Sequence, residues 1–365
     1  MKEKTPAVFA VENDYQIMVP TDAPSLMWVE VGGKKYYDAS NGIMRSLTEI
    51  HRMTVPMSAL DAAGEYTVCE RVIVNRKPYF PEIEDAVRTT YAFTHIPDSD
   101  VRIYHIADAH NASEPCVAAA LGFGQIDLLV LNGDIPNHSG EVERFGTIYD
   151  ICAQVTGGHI PVVFARGNHD LRGACAERFA DYTPSANGRT YYTFRLGTIW
   201  GVVLDCGEDK DDSHAEYGGT VACHAFREAE TEYLREMLCR ADKEFDAPGV
   251  KYRLVIAHNP FTFRHNPPFN IEEELYTEWA RMLRENVRPD LMLSGHLHRI
   301  ELSMPGDASD AFGHPCPVVV GADPGRKSDV RKTFVGAGVT LSEDSIRVEF
   351  TDCDGNSKGV FSLKK

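Results

Sequence analysis

The chain has 365 residues, of which 43% are apolar and 25% charged. At roughly 100–200 residues per domain this length suits two domains, and the composition excludes a disordered chain, a collagen and a small disulfide scaffold. Acidic residues (54) outnumber basic ones (37), so the formal net charge is -17, which disfavours a nucleic-acid backbone or an anionic membrane as partner.

The chain carries 9 cysteines, an odd number, and no two stand in a Cys-x-x-Cys spacing. They read as reduced, buried small hydrophobes rather than as a zinc or redox motif. The N-terminal segment has no continuous apolar run of a secretory signal, and nothing approaches the ~20 apolar residues of a membrane span. A cytoplasmic protein with no membrane partner is the expectation.

In chain order, the region before residue 100 reads as short strands separated by turns. Met27 to Val31 and Lys34 to Tyr37 flank Gly32-Gly33, which predicts a hairpin. His51 to Met57 and Tyr66 to Val74 continue in the same style, and no amphipathic helix pattern is visible. Together they predict an all-β sandwich over residues 1–97. Leu60 to Tyr66 looks like a tyrosine corner, in which a Tyr hydroxyl bonds back to upstream backbone; a plain surface turn is the alternative. Thr90 to Thr94 reads as the last strand, followed by a linker over His95 to Asp100.

From residue 98 to 365 strands and helices alternate, which predicts an α/β domain. Strands are expected at Val101 to Ala107, Ile126 to Leu131, Pro161 to Ala165, Tyr252 to Ala257 and Leu291 to Ser294. Helices are expected at Ala112 to Leu121, Glu141 to Val155, Ala225 to Phe245 and Glu272 to Asn286. Tyr191 to Leu204 suits a hairpin, and Gly336 to Leu363 a β-meander.

Five of these apolar strands run directly into Asp, His or Asn. The segments are Asp108-Ala109-His110, Asn132-Gly133-Asp134, Gly167-Asn168-His169-Asp170, His258-Asn259 and Gly295-His296-Leu297-His298. Ligands of open α/β sheets sit beyond the carboxyl ends of strands, and mixed oxygen and nitrogen donors suit metal ions. Two cations held close together need a shared anionic ligand between them. Histidines two apart on an extended segment face opposite sides, whereas a turn at Gly295 lets His296 and His298 serve different ions.

This ordered set, D-x-H, G-D, G-N-H-D, H and G-H-x-H, resembles the calcineurin-like metallophosphoesterase family. The resemblance implies two mixed β-sheets packed face to face and flanked by helices. It implies one ion on Asp108, His110, Asp134 and His298, and a second on Asp134, Asn168, His258 and His296, with hydroxide between them. The ions are two divalent metals or iron with a divalent metal, Mn first, with Fe, Zn, Co or Ni as alternatives. His169 is implied as proton donor or transition-state stabiliser. Asp170 is read either as orienting the His169 ring or as a helix N-cap. Arg166 and Arg172 are candidate phosphate clamps or solvated loop arginines, and Asn111 is a candidate substrate contact. The acidic run Glu208 to Asp212 reads as a mobile solvated loop, placed near the site rim by the strand before it.

A β-sandwich ahead of such a domain resembles purple acid phosphatases, whose N-terminal domain is fibronectin type III-like. Two departures stand out: Asn137 occupies the place of their metal-ligating tyrosine, and His110 is present where they lack a histidine. The first predicts no tyrosinate-to-iron colour, and the second points to the D-x-H phosphodiesterase branch. The expected activity is metal-dependent hydrolysis of a small phosphodiester, or monoester, by activated hydroxide. The alternatives are a catalytically weak scaffold whose sandwich binds a protein or carbohydrate, and a nuclease, which the net charge disfavours.

Overall fold

The structure is a computed structural model that describes residues 4–38, 48–325 and 332–365. Strands β1 (Ala7–Val11), β2 (Asp14–Pro20), β3 (Ser25–Val31), β4 (Lys34–Tyr37) and β5 (Ile50–Pro56) open the chain. Helix α1 (Met57–Ala63) and strands β6 (Glu65–Asn75), β7 (Glu82–Ile83) and β8 (Val87–Ala92) follow. The β3–β4 turn is made by Gly32 and Gly33, at φ 54° and 81°. Positive φ at both central residues is what a two-residue hairpin of this twist requires, so the glycine pair sets the register Val31 to Lys34.

The α/β part begins with β9 (Val101–Ile106), α2 (Ser113–Phe123), β10 (Leu128–Asn132), α3 (Gly146–Thr156) and β11 (Val162–Ala165). The short α4 (Phe179–Tyr182) leads to the hairpin of β12 (Tyr192–Leu196) and β13 (Ile199–Leu204). Next come α5 (Cys223–Leu238), β14 (Tyr252–Ala257), α6 (Glu273–Met282) and β15 (Leu291–Ser294). Two strands without a sequence forecast, β16 (Arg299–Ser303) and β17 (Val318–Ala322), precede the meander β18 (Val335–Leu341), β19 (Ser345–Asp352) and β20 (Ser357–Lys364).

These strands make two mixed sheets. One has nine strands in the order β20-β19-β18-β9-β10-β11-β1-β2-β5, and the other has six in the order β12-β13-β14-β15-β17-β16. Their inner faces share one core, in which Ile103, Val130 and Val163 meet Val203, Ile256 and Leu293. Helices α2 and α3 cover the outer face of the first sheet, where Cys116 and Ile148 pack with Leu129 and Leu131. Helices α5 and α6 cover the second, where Leu234 and Trp279 pack with Val202 and Val255. Each central strand is buried on both faces, which is why it reads as an unbroken apolar run.

The N-terminal region is all-β as expected, apart from α1, but its strands are divided between sheets. β3, β4, β6, β7 and β8 form a separate five-stranded sheet. β1 instead pairs parallel with β11, and β2 and β5 extend the same edge. The expected boundary at residue 97 therefore cuts through one hydrogen-bonded sheet. Val29, Val31 and Val68 of the small sheet share a core with Ile17, Met53 and Val55 of that edge. Backbone hydrogen bonding is non-local, so strand composition alone does not say which sheet a strand joins.

The tyrosine corner is corrected by the structure. Leu60 to Ala63 belong to α1, which ends on Gly64 at φ 63° with its N–H on the Leu60 carbonyl. The Tyr66 hydroxyl donates to Gly158 O at 2.8 Å, far downstream rather than upstream.

Candidate metal centre

The polar residues after β9, β10, β11, β14 and β15 converge at one end of the two sheets. The backbone turns sharply there: Asp108, His110, Asn111, Asp134, His296 and His298 all have φ between 46° and 69°. Non-glycine residues rarely adopt this left-handed region, and its concentration in three loops marks a constrained site. Gly133 and Gly167 allow the loops to close. A Cβ on Gly133 would lie 2.5 Å from His258 Nδ1, and one on Gly167 would lie 2.3 Å from Asp134 Oδ1.

Asp108, His110 and His298 form one group. His298 Nε2 is 3.2 Å from Asp108 Oδ1, and His110 Nε2 is 3.0 Å from His298 Nε2. Asp134 and His258 form the next, with His258 Nε2 3.3 Å from Asp134 Oδ2 and 3.8 Å from Asp108 Oδ1. His296 turns the other way from His298: its Nδ1 is 3.1 Å from Asn168 Oδ1. All seven ligands expected from the sequence are thus brought together around Asp108 and Asp134.

Second contacts fix these side chains. Asp108 Oδ2 accepts the His296 N–H at 2.8 Å, and Asp134 Oδ1 accepts the His169 N–H at 2.9 Å. His258 Nδ1 faces Asn132 O at 2.6 Å, so Nδ1 carries hydrogen and Nε2 points into the cluster. Metal-ligating imidazoles are held by such a bond on the remote nitrogen.

The cluster fits a pair of cations on its own chemistry. Asp108 Oδ1 and His258 Nε2 are buried and have no hydrogen-bond partner. Such orphans are costly unless something else satisfies them. Burial disfavours a charged His258, yet the Asp134 and Asp108 carboxylates outweigh it and raise its pKa to about 10. The two carboxylates attract positive charge strongly enough to keep a proton on a buried imidazole. Burial and the neighbouring His258 instead push His296 down to about 4, leaving it a neutral donor.

His169 lies at the rim. Its Nδ1 is 2.8 Å from Asn137 O, and its Nε2 is 4.0 Å from Asp134 Oδ2. Asn137 also places Oδ1 3.2 Å from His110 Nδ1, so one residue positions two histidines. Sequence reasoning treated Asn137 only as a missing tyrosine.

Asp170 does not touch the His169 ring, nor does it cap a helix. Its Oδ2 accepts the N–H of Gly167 at 2.7 Å and of Asp134 at 3.3 Å, which ties two ligand loops together. Burial and the Asp134 carboxylate raise its pKa to about 8. Arg166 is turned away from the site: its Nε is 2.6 Å from Asp205 Oδ2 and its guanidinium covers the Phe226 ring. Asn111 spends its amide on Thr147 and the Asn137 N–H, so it shapes the loop.

Arg172 is neither a solvated arginine nor an open phosphate clamp. It grips Glu208 with two bonds of 2.8 Å, while Nη1 donates to His169 Nε2 at 3.3 Å. The acidic run is corrected with it. Glu208, Asp209 and Lys210 are buried, Lys210 Nζ bonds Asp209 Oδ1 at 2.8 Å, and Asp209 Oδ2 lies 3.8 Å from His296 Nε2. Its expected place at the rim is observed, but as an ion-paired wall. Charge density alone suggested solvent; Arg172, the partner of Glu208, comes from a distant segment.

Residues 101–299 match the calcineurin-like phosphoesterase family, more than half of the chain. The chain belongs to that family, and it is a metal-dependent phosphoric ester hydrolase. A probable cyclic nucleotide phosphodiesterase of Rhodopseudomonas palustris is 26% identical over 217 residues, covering 56% of this chain and 69% of that protein. A purple acid phosphatase from yellow lupin (Lupinus luteus) seeds superposes with a TM-score of 0.60 at 12% identity, over 99% of this chain and 74% of that one. The shared architecture includes the strand-rich N-terminal region. Family and fold together imply a dinuclear metal centre. No helix among the described residues is long and apolar enough to cross a membrane.

Proposed function

We propose that this hydrolase cleaves a small phosphodiester at a dinuclear centre. Asp108, His110, Asp134 and His298 hold one ion, Asp134, Asn168, His258 and His296 hold the other, and manganese is the first assignment. The observation that carries this reading is the convergence of two buried carboxylates and four imidazoles whose inward atoms include unpartnered ones. The diester preference follows from His110 and from likeness to a probable cyclic nucleotide phosphodiesterase. Asn137, in place of a phenol ligand, leaves no source for tyrosinate-to-iron colour.

Bound cations supply Lewis acidity toward phosphoryl oxygens and acidify water at this position. The remaining work falls to the protein. Hydrolysis forms a bond from a water oxygen to phosphorus and breaks the bond to the ester oxygen, which must gain a proton. Nδ1 is committed to Asn137 O, so Nε2 is the ring atom left to relay that proton; it accepts from Arg172 Nη1 in this arrangement and would carry the proton only after leaving that contact. The Asn137 contact fixes the ring plane, and Arg172 holds Nε2 from the opposite side. The net charge of -17, with the carboxylates of Glu208, Asp209 and Glu216 beside the cluster, favours small substrates over polyanions.

The test is turnover of bis(4-nitrophenyl) phosphate by the Mn(II)-loaded chain. His169→Ala is expected to lower kcat by about 10²–10⁴-fold, the usual contribution of a positioned acid or base. Asp134→Asn removes the shared anionic ligand and is expected to abolish turnover. Undiminished activity in both variants would overturn the assignment.

A further inference from the structure

Beneath the metal-ligand cluster, the apolar core between the two sheets is interrupted by a polar pair. Asn132 of β10 and His105 of β9 are fully buried. They point inward on the same faces as Val130 and Ile103 of those strands, which line that core. Asn132 Nδ2 lies 3.0 Å from Leu293 O and 3.0 Å from His105 Nε2. A carbonyl oxygen only accepts, so Nδ2 donates to Leu293 O, and its second hydrogen goes to His105 Nε2. Burial pushes the His105 pKa down to about 3, so that ring is neutral and able to accept. Gly321 of β17 leaves the ring its room: a Cβ there would lie 3.0 Å from His105 Nδ1 and 2.6 Å from Ala337 Cβ.

The pair does not serve the core itself. Asn132 Oδ1 and His105 Nδ1 are buried without a hydrogen-bond partner. Unsatisfied polar atoms of this kind cost stability, and apolar residues of similar shape would suit the packing better.

What the pair does reach is the ligand loops. Asn132 stands two residues before Asp134, and Leu293 three residues before His296. The Asn132 carbonyl holds His258 Nδ1 at 2.6 Å. One residue thus ties together β9, β10, β14 and β15, four of the five strands that carry the ligands. The bond to Leu293 O also crosses from the nine-stranded sheet to the six-stranded one. Ladder bonds fix the spacing of strands within a sheet, whereas the spacing between sheets is left to side-chain packing. The amide adds a bond of defined length across that gap.

We propose that the Asn132 amide, locked by His105, is a positioning element that sets the separation of the Asp134 loop on one sheet from the His258 and His296 to His298 loops on the other. It thereby sets the affinity of the cluster for metal ions. The inference rests on the dinuclear reading and adds to it two residues that ligate nothing.

The test titrates Mn(II) into the full, chelator-treated chain by calorimetry. Asn132→Ala is expected to weaken binding by about 10–100-fold, the usual effect of removing a group that orients metal ligands. His105→Leu, which takes away the second acceptor of the amide, should weaken it in the same direction. His105→Gln, whose Oε1 can accept in its place, should restore it. Val130→Ala is the control. It opens the same core from the same face of β10 but breaks no hydrogen bond, so it should lower the urea midpoint and leave Mn(II) affinity at the native level. Native affinity in Asn132→Ala, or an equal loss in Val130→Ala, overturns the proposal. Should Asn132→Ala not fold, the His105 variants decide: a loss in His105→Leu that His105→Gln regains supports it, and equal affinity in the two overturns it. If the native chain takes up fewer than two Mn(II), the dinuclear reading fails, and crystal structures of the metal-free variants decide the positioning role separately. The 3.3 Å separation of His258 Nε2 from Asp134 Oδ2 should widen by more than about 0.5 Å in Asn132→Ala but not in Val130→Ala, and an unchanged separation in Asn132→Ala overturns the role.

Discussion

Two buried clusters of charge adjoin within the cleft, and they are balanced by different means. Around Arg172 the protein supplies both signs: Glu208, Asp209 and Glu216 are met by Arg172 and Lys210. Around Asp108 and Asp134, the ion pairs among the described residues involve only histidine. The first cluster meets each carboxylate with a cation of the chain, two cations serving three carboxylates. The second leaves Asp108 Oδ1 and His258 Nε2 without a hydrogen bond, in ion-pair range of one another and of neighbouring histidines and carboxylates only. A buried carboxylate pair without a fixed cation is costly, so the contrast identifies where external charge is required.

The largest effect that tests this contrast is metal removal. A ligand that binds only the native state stabilises it by about 4 kcal/mol when free at roughly 1,000 times its Kd. Thermal unfolding of Mn(II)-loaded protein should therefore occur well above that of chelator-treated protein. Asp134→Asn should remove most of the difference, because both proposed sites use that residue. Glu208→Gln should preserve the metal-dependent shift while lowering stability at all metal concentrations. The contrast fails if Glu208→Gln, rather than Asp134→Asn, abolishes the shift.

Arg172→Ala tests the self-balanced cluster. Removing one partner of a fully buried pair costs about 3–5 kcal/mol; Arg172 retains 28% side-chain exposure, so about 2 kcal/mol is expected in urea unfolding. A positioning role predicts a further signature. Nη1 touches His169 Nε2, so kcat should fall while KM changes little. Arg172→Lys should recover stability in part but not kcat, since a lysine does not grip Glu208 with two bonds and reach His169 at once. A change confined to stability would make the arginine purely structural.

The metal-ligand candidates were legible because each lies within four residues of the end of an apolar strand, so local sequence carries both the strand and its terminal donor. The face-to-face sheets came with the family resemblance, and the strand order could not be read from composition. β1 is the sharpest case. Ala7 to Val11 is entirely buried, yet nothing in five apolar residues specifies parallel pairing with Val162. Arg166, Arg172 and Asp170 were misjudged for a related reason: their roles depend on Asp205, Glu208 and the Asp134 backbone. These partners come from other segments and are brought close only by folding. Helix α1 has seven residues, too few for an amphipathic repeat to show.

The smallest prediction addresses how the N-terminal sheet is tied to the catalytic one. Tyr66 on β6 stacks on Tyr91 of β8 at 5.4 Å between ring centroids, and its buried hydroxyl reaches Gly158 O, between α3 and β11. Tyr66→Phe keeps the stack and removes only the hydroxyl, so about 1 kcal/mol should be lost. Since β1, β2 and β5 belong to the catalytic sheet and the small sheet shares their core, the loss should shift one cooperative transition. An N-terminal unit that folded independently would instead give two transitions, with only the first moving. Circular dichroism in the far ultraviolet, compared with tryptophan fluorescence, separates these outcomes. Trp28 reports the small sheet while Trp200 and Trp279 report the six-stranded layer, so coincident curves would establish one folding unit.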